Sequence, residues 1–308
     1  MILVTGASGL LGASLVSLAQ AQGREVVGLY HRHPVHIEGV KLLAADLSEQ
    51  AEVRRIFQEL KPATVVHCAA ATDVDWCEGH PDEADRINVM VPATIARISS
   101  ACNARLLYIS TDSVFDGERG NYAETDTPGP VNVYAKTKLQ GEREVLHLNP
   151  TAAIARVDFY GWNAQKKHSL AEWVLKELTL GSLVPGFSDV FFCPMLANDL
   201  ADMMLAVLDQ NLAGLYHVVG SESVSKYEFA RRIASTFGFD PGQVVPTHMA
   251  DAKLKAQRPR DTSLNTGKIC AVLRRPMPDV DAGLRRFAQL RASGYADRIK
   301  GHLTGIRK

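Results

Sequence analysis

The chain lacks charge bias, long apolar runs and a cysteine pattern, and each absence removes a class of function. Lys+Arg and Asp+Glu both number 34 in 308 residues. A general nucleic-acid binder carries a basic excess that attracts phosphates, so no nucleic-acid partner is expected. No apolar stretch approaches the roughly 20 residues a membrane span needs, so no membrane partner is expected. The five cysteines are Cys68, Cys77, Cys102, Cys193 and Cys270; their number is odd and no CxxC spacing occurs. Neither a disulfide framework nor a zinc site or other metal is indicated. Reduced thiols fit a cytoplasmic protein. The opening "MILVTG" reads as a strand from the first residue and leaves no room for a signal peptide.

What remains is an ordinary globular balance, 46% hydrophobic and 22% charged. At this length one large domain plus a smaller lobe is expected. Short runs such as "ILVTG", "EVVGLY", "VKLLAAD", "ATVVHCAAA" and "ARLLYISTD" are apolar on both faces and alternate with helical stretches. One of those stretches begins near Ser48, read as its N-cap. This pattern predicts an α/β fold with a Rossmann-type, doubly wound parallel sheet. The regularity breaks near residue 160. "NAQKKHSLAEWVLKELTLG" reads as one helix, "LVPGFSDVFFCPM" as irregular, and "SKYEFARRIASTFG" as a helix capped by Ser225. The Rossmann core is therefore placed at 1–160, with 196–219 returning to it. A smaller discontinuous lobe is placed at 161–195 and 220–308. Its basic end, "RASGYADRIKGHLTGIRK", reads as a peripheral helix or a frayed terminus.

Between the first strand and the first helix lies "TGASGLLG", with Gly6, Gly9 and Gly12. Here glycine permits a tight turn, close approach to a pyrophosphate and close helix packing. The helix N-terminus adds free N–H groups and a positive dipole. The second strand ends "GLYHRHP" without a carboxylate for a ribose 2′-OH. His31, Arg32 and His33 stand there instead. Arg32 suits a 2′-phosphate, which predicts NADP(H), with NAD(H) as the alternative. Asp46 is placed either to meet the adenine amino group or to begin the next helix.

Tyr134 and Lys138 in "YAKTK" lie four residues apart, on one face of a helix. A free phenol titrates near 10, and a close ammonium would draw that value down. Thr111, 23 residues upstream, ends a strand at the carboxyl edge of the sheet, where α/β ligand crevices form. Its hydroxyl is placed to polarise a carbonyl that Tyr134 protonates. Three other residues get a plainer reading: His67 in the core, Trp76 and Cys77 packed under a loop. Phe191 and Phe192 either line the pocket or bury the lobe.

These motifs, with "HCAAATDVDWCEGHPDEADRINV", "YISTDSVFDG", "NVYAKTKLQGE", "GLYHVVG" and "AQRPRDTSLNTGK", resemble the extended short-chain dehydrogenase/reductases. Within them the chain is similar to the dTDP-4-dehydrorhamnose reductases and to the β regulatory subunits of methionine adenosyltransferase. The resemblance implies Thr111, Tyr134 and Lys138 as the catalytic set. It implies cofactor contacts from Gly6, Ser8, Gly9, Leu10, Leu11, Gly12, His31 and Arg32, and from Asp46, Leu47, Cys68, Ala69, Ala70 and Thr72. Tyr134, Lys138 and Phe159 would meet the nicotinamide end. Ser113 and Arg258 are implied as contacts of a nucleotide-sugar substrate. The chain departs from the reductases in the sugar pocket: Ser113 replaces a tyrosine, "ARVDFYG" is one residue short and lacks a tryptophan, and "SDVFFCPM" carries two aromatics. The expected activity is NADPH-dependent reduction of a nucleotide-linked 4-keto-sugar. The alternatives are a non-catalytic NADP-holding regulatory subunit, docked on a partner enzyme, and a nucleotide-sugar epimerase. A homodimer is also compatible.

Overall fold

Strands apolar on both faces need helices on both sides, and the chain supplies them in alternation. The structure is a computed structural model that describes residues 1–301. Five strands come first: β1 (Ile2–Thr5), β2 (Val26–Tyr30), β3 (Lys41–Ala44), β4 (Thr64–His67) and β5 (Arg105–Thr111). The helices between them are α1 (Leu10–Ala21), α2 (Gln50–Leu60), α3 (Val74–Gly79), α4 (Pro81–Asp85) and α5 (Val91–Ala101). After β5 follow α6 (Val133–Leu148), β6 (Ala153–Val157), β7 (Phe159–Tyr160), α7 (Leu170–Thr179), β8 (Val184–Phe187), β9 (Phe191–Phe192) and β10 (Met195–Leu196). The rest comprises α8 (Ala197–Asp209), β11 (Gly214–His217), β12 (Val224–Ser225), α9 (Lys226–Thr236), β13 (Val244–Thr247), α10 (Gly267–Leu273), α11 (Val280–Ala292) and α12 (Tyr295–Gly301).

Seven strands form one parallel sheet in the order β11-β6-β5-β4-β1-β2-β3. The order reverses between β1 and β4, which opens a crevice at their carboxyl ends. On one face α1 packs against α8; on the other α2, α5 and α6 pack together. Leu11, Leu15 and Val16 of α1 join Leu200, Met204 and Leu205 of α8 in one apolar core. Phe57, Ile95 and Val145 centre the core on the opposite face. The later segments build three short pairs: β7–β10, β8–β13 and β9–β12.

Several elements differ from the sequence reading. The helix expected over 163–181 starts only at Leu170. Ser169 Oγ accepts from Glu172 N–H, and Glu172 returns a carboxylate oxygen to Ser169 N–H. This reciprocal capping box, contributing on the order of 1 kcal/mol, fixes the helix start there. The stretch read as irregular holds β8 and β9. Ser48 does not cap α2, whose cap position is Glu49; its hydroxyl donates to Asp46 at 2.7 Å instead. Ser225 does cap α9. Part of the basic end is helical, in α11 and α12, and residues 302–308 lie outside the described residues. Among the described residues no helix is long and apolar enough to cross a membrane.

α4 runs into α5 through a π turn at Arg86–Met90. Pro92, four residues after Asn88, has no N–H to give the Asn88 carbonyl. That carbonyl, lacking its usual i+4 donor, meets Tyr108 Oη from outside the helix.

Candidate functional site

The crevice at the strand reversal opens into a cleft of about 1010 Å³. Its phosphate end is the turn after β1. Gly6 sits at φ +64°, and a Cβ there would meet Ala69 N at 2.7 Å. A Cβ on Gly12 would fall 2.2 Å from Gly6 O. Only glycine allows this turn and the helix behind it. At Gly9, the N-cap of α1, no side chain caps the helix and no carboxylate occupies its first turn. The free N–H groups face a cradle open to an anion, so these residues fit a pyrophosphate.

At the adenine end, Arg32 is exposed and lines the cleft. Asp46 lies outside α2, so the helix-start reading does not hold. Its Oδ1 accepts from Ser48 N–H and Oγ–H, and the Ser48 bonds hold its carboxyl below the usual carboxylate value. His31 Nε2 approaches its other oxygen at 3.6 Å. The end of β2 carries no carboxylate, but the Asp46 charge reaches across from β3 toward His31 and Arg32.

At the reacting end, β5 delivers Thr111 and α6 delivers Tyr134 and Lys138. Asn132 caps α6 by accepting from Ala135 N–H at 2.9 Å, which sets Tyr134 in the first turn. Tyr134 and Thr111 line the same cleft, and the Thr111 hydroxyl bears on the Tyr134 phenol. Thr111 Oγ1 donates to Asp112 Oδ1 at 3.1 Å, and Ser113 Oγ donates to the same oxygen at 3.2 Å. All the residues expected at the cofactor and at the reaction centre line this one cleft, and Ser113 lines it too.

The electrostatics differ from expectation in one respect. Burial raises the Tyr134 phenol well above its ordinary value, and the charges of Asp112 and Asp158 add to this. Lys138 does not draw it down. Its Nζ donates instead to Tyr108 Oη at 2.7 Å and to Ile109 O at 2.8 Å, both on β5. Tyr134 and Lys138 share a helix face, but the lysine side chain turns in toward the sheet. Lys138 is 2% exposed, and burial lowers its ammonium to about 7.

Three residues sit otherwise than expected. Arg258 does not line the cleft; its guanidinium donates to Asp75 Oδ1 at 2.9 Å and to Ala256 O at 3.0 Å. Thr262 of the polar loop comes near Asp112 and eases its carboxyl, although its hydroxyl donates to Phe191 O at 3.5 Å. Trp76 lines the cleft and stacks on His80 with centroids 4.6 Å apart, rather than packing under a loop. Phe192 is buried in the lobe, whereas Phe191 is exposed; neither lines the cleft. His67 is buried in the core, as expected, bonded to Thr5 at 2.7 Å.

Sequence reasoning missed other lining residues. Asp158, in the shortened "RVDFYG", lines the cleft close enough to Asp112 for the two carboxyls to perturb one another. Both carboxyls are pushed up, first by burial, and Asp158 further by the Asp112 charge. Asn163, Gln165, Lys167 and His168 wall the cleft from the segment between β7 and α7. Gln165 Nε2 donates to Ser8 O at 2.9 Å, tying that segment across the glycine turn. The S-x-x-E of Ser169 and Glu172 was the available signal that this segment is not helix. A second, mainly apolar cavity of about 370 Å³ lies beyond Leu170, walled by Trp173, Pro185, Phe187 and Thr247.

Residues 1–292 match the RmlD substrate binding domain. The chain belongs to that family. It is a family of NAD(P)-dependent reductases of the extended short-chain type. This RmlD-family chain is 34% identical over 270 residues to the probable low-salt glycan biosynthesis reductase of Haloferax volcanii, covering 86% of this chain and 90% of that protein. It is also 34% identical over 278 residues to the methionine adenosyltransferase 2 subunit beta of Danio rerio, covering 87% and 83%. A solved dTDP-4-dehydrorhamnose reductase from Bacillus anthracis, in complex with NADP, superimposes with a TM-score of 0.83 at 27% identity, over 94% of this chain and 98% of that one.

Proposed function

We propose that this RmlD-family chain is an NADPH-dependent reductase of a nucleotide-linked keto-sugar, with a 4-keto-sugar as the substrate class. The observation that carries this reading is the meeting of Thr111, Tyr134 and Lys138 with the glycine cradle in one cleft. Gly6, Ser8, Gly9, Leu10, Leu11 and Gly12 would hold the pyrophosphate, with His31, Arg32, Asp46 and Leu47 toward the adenosine. Cys68, Ala69, Ala70, Thr72, Phe159 and Lys138 would surround the nicotinamide end. When bound, the reduced nicotinamide supplies a hydride to the carbonyl carbon. Tyr134 gives its proton to the carbonyl oxygen. Its raised pKa keeps the phenol protonated at neutral pH, as a proton donor requires. Thr111 orients that oxygen, and Lys138 holds the ribose. Ser113 and Asp158 face the space left for the sugar. The second cavity, with Trp173 and Phe187, offers an aromatic surface for a nucleotide base.

A second reading is a nicotinamide-holding regulatory subunit that docks on a partner enzyme. The identity to the methionine adenosyltransferase subunit and the altered sugar-pocket residues favour it. One experiment separates the two. NADPH oxidation is followed against a panel of nucleotide-linked keto-sugars, and the same preparation is used for partner capture. Acceleration by one panel member supports the reductase. A silent panel with a stable hetero-complex supports the subunit.

A further inference from the structure

Lys138 lies in a pocket that offers its ammonium few charges. Tyr108 faces it from β5, with His67 and Cys68 at the end of β4 and Glu142 and Tyr134 on its own helix. His67 is neutral: burial, then the nearby Lys138 charge, holds it down to about 3. Burial pushes the Cys68 thiol up to about 12. Glu142 is engaged by Arg156 at 2.7 and 3.0 Å. Tyr134 stays a neutral phenol. The hydrogen bonds of the ammonium therefore fall to two neutral oxygens, Tyr108 Oη and Ile109 O.

The place of Tyr108 Oη is set by two further residues. Tyr108 O–H donates to Asn88 O at 3.4 Å, the carbonyl that Pro92 leaves without its helical partner. A Cβ on Gly141 of α6 would lie 2.7 Å from Tyr108 Oη and 2.3 Å from Asn88 O. Only a glycine at this crossing leaves room for the hydroxyl. With its proton turned toward Asn88 O in this long contact, the hydroxyl presents a lone pair to Lys138, which donates to it at 2.7 Å. The ring adds to this, since Lys138 Nζ lies 4.1 Å from its centroid. Two of the three ammonium protons are thereby used, and the third is left for the cleft that Lys138 lines.

We propose that Tyr108 is a positioning residue for Lys138: relayed from Asn88 and admitted by Gly141, its hydroxyl holds the lysine charged and aimed at the cofactor ribose. This rests on the nicotinamide-binding reading above. Tyr108 itself touches neither cofactor nor substrate. The plainer alternative is a core tyrosine whose hydroxyl merely finds partners. The two differ in what happens to the lysine when the hydroxyl alone is removed. The ammonium would lose one of its two acceptors, so its charged form would be disfavoured. Lys138 would release its proton at lower pH, and binding that needs the charge would fade earlier as pH rises.

The test is Tyr108→Phe, which keeps the ring and its stack on His67. Lysine is labelled with 13C at the ε carbon, and Lys138→Arg identifies the resonance. Titration of the cofactor-free chain reads the Lys138 charge directly. The expected result is a downward shift of about one pH unit, roughly the tenfold effect of one hydrogen bond to a charged group. NADPH affinity, followed by fluorescence from pH 6 to 8.5, should show the same shift, while the melting temperature holds within a few degrees. An unshifted Lys138 titration, or superimposable NADPH profiles, overturns the proposal. A wild-type chain that binds neither nicotinamide cofactor sinks the proposed function instead. The titration then decides by itself whether Tyr108 governs the lysine.

Discussion

Arg156 on β6 grips Glu142 on α6 with two guanidinium nitrogens, at 2.7 and 3.0 Å, and both side chains are 5% exposed or less. Ser110 Oγ of β5 donates to the same carboxylate at 2.5 Å. One buried ion pair thus ties α6 to the two strands beneath it, one turn beyond Lys138. Removing one partner strands a charge in the interior. Glu142→Ala is expected to cost about 3–5 kcal/mol in chemical denaturation. A cost below about 1 kcal/mol would show that water reaches the pair.

Tyr134→Phe keeps the ring and removes only the proton donor. With a substrate in hand, kcat should fall by about 10²–10⁴-fold, the usual contribution of general acid catalysis. The NADPH dissociation constant should change little, because the glycine turn and Arg32 provide most of that binding. Near-normal kcat would assign the proton to another group.

Arg32→Ala should weaken NADPH by about tenfold while leaving NADH nearly unchanged, the scale of a charge-assisted contact to a 2′-phosphate. Asp46 beside it works the other way, so Asp46→Asn should tighten NADPH slightly. Fluorescence titration of both cofactors against the three proteins reads this. Equal affinity of the wild type for NADPH and NADH counts against the assignment of Arg32.

The Asp112–Asp158 pair carries a pH signature. Both carboxyls titrate higher when folded than unfolded. Above the ordinary carboxylate value the folded chain therefore holds more protons than the unfolded one. Stability attributable to the pair falls as pH rises from that value through the raised folded ones. Asp158→Asn removes this term. Its melting temperature should match or exceed that of the wild type near pH 7, with the advantage shrinking toward pH 4. A variant that melts lower at pH 7 and higher at pH 4 would reverse the sign.

The sheet and the glycine turn were legible because their signals are local. Apolar runs of four or five residues, and glycines spaced by three, state their geometry within one stretch of chain. The spacing of Tyr134 and Lys138 likewise shows a shared helix face. It does not show where a four-carbon side chain ends, and that end lies on β5, 30 residues away in sequence. Asp158 was passed over because its partner, Asp112, is remote in sequence. Arg258 looked like a substrate contact by its place in a polar loop, but Asp75, 183 residues earlier, holds it. In residues 163–169 only Ala164 is apolar, so helical spacing begins at Leu170, where the S-x-x-E signal also places the start.

β11 closes one edge of the sheet, and it does so against β6, with Gly214 opposite Ala153. Everything from β7 to α8 is inserted between those two strands. On a ribosome the first six strands of the sheet would emerge with β6 still bare along one side. That bare edge, with Ala153, Ile154 and Ala155 on it, is an open template for another chain until His217 has left the exit tunnel. A premature stop anywhere before β11 would make the condition permanent, and the released fragment should aggregate rather than persist as a smaller nucleotide binder.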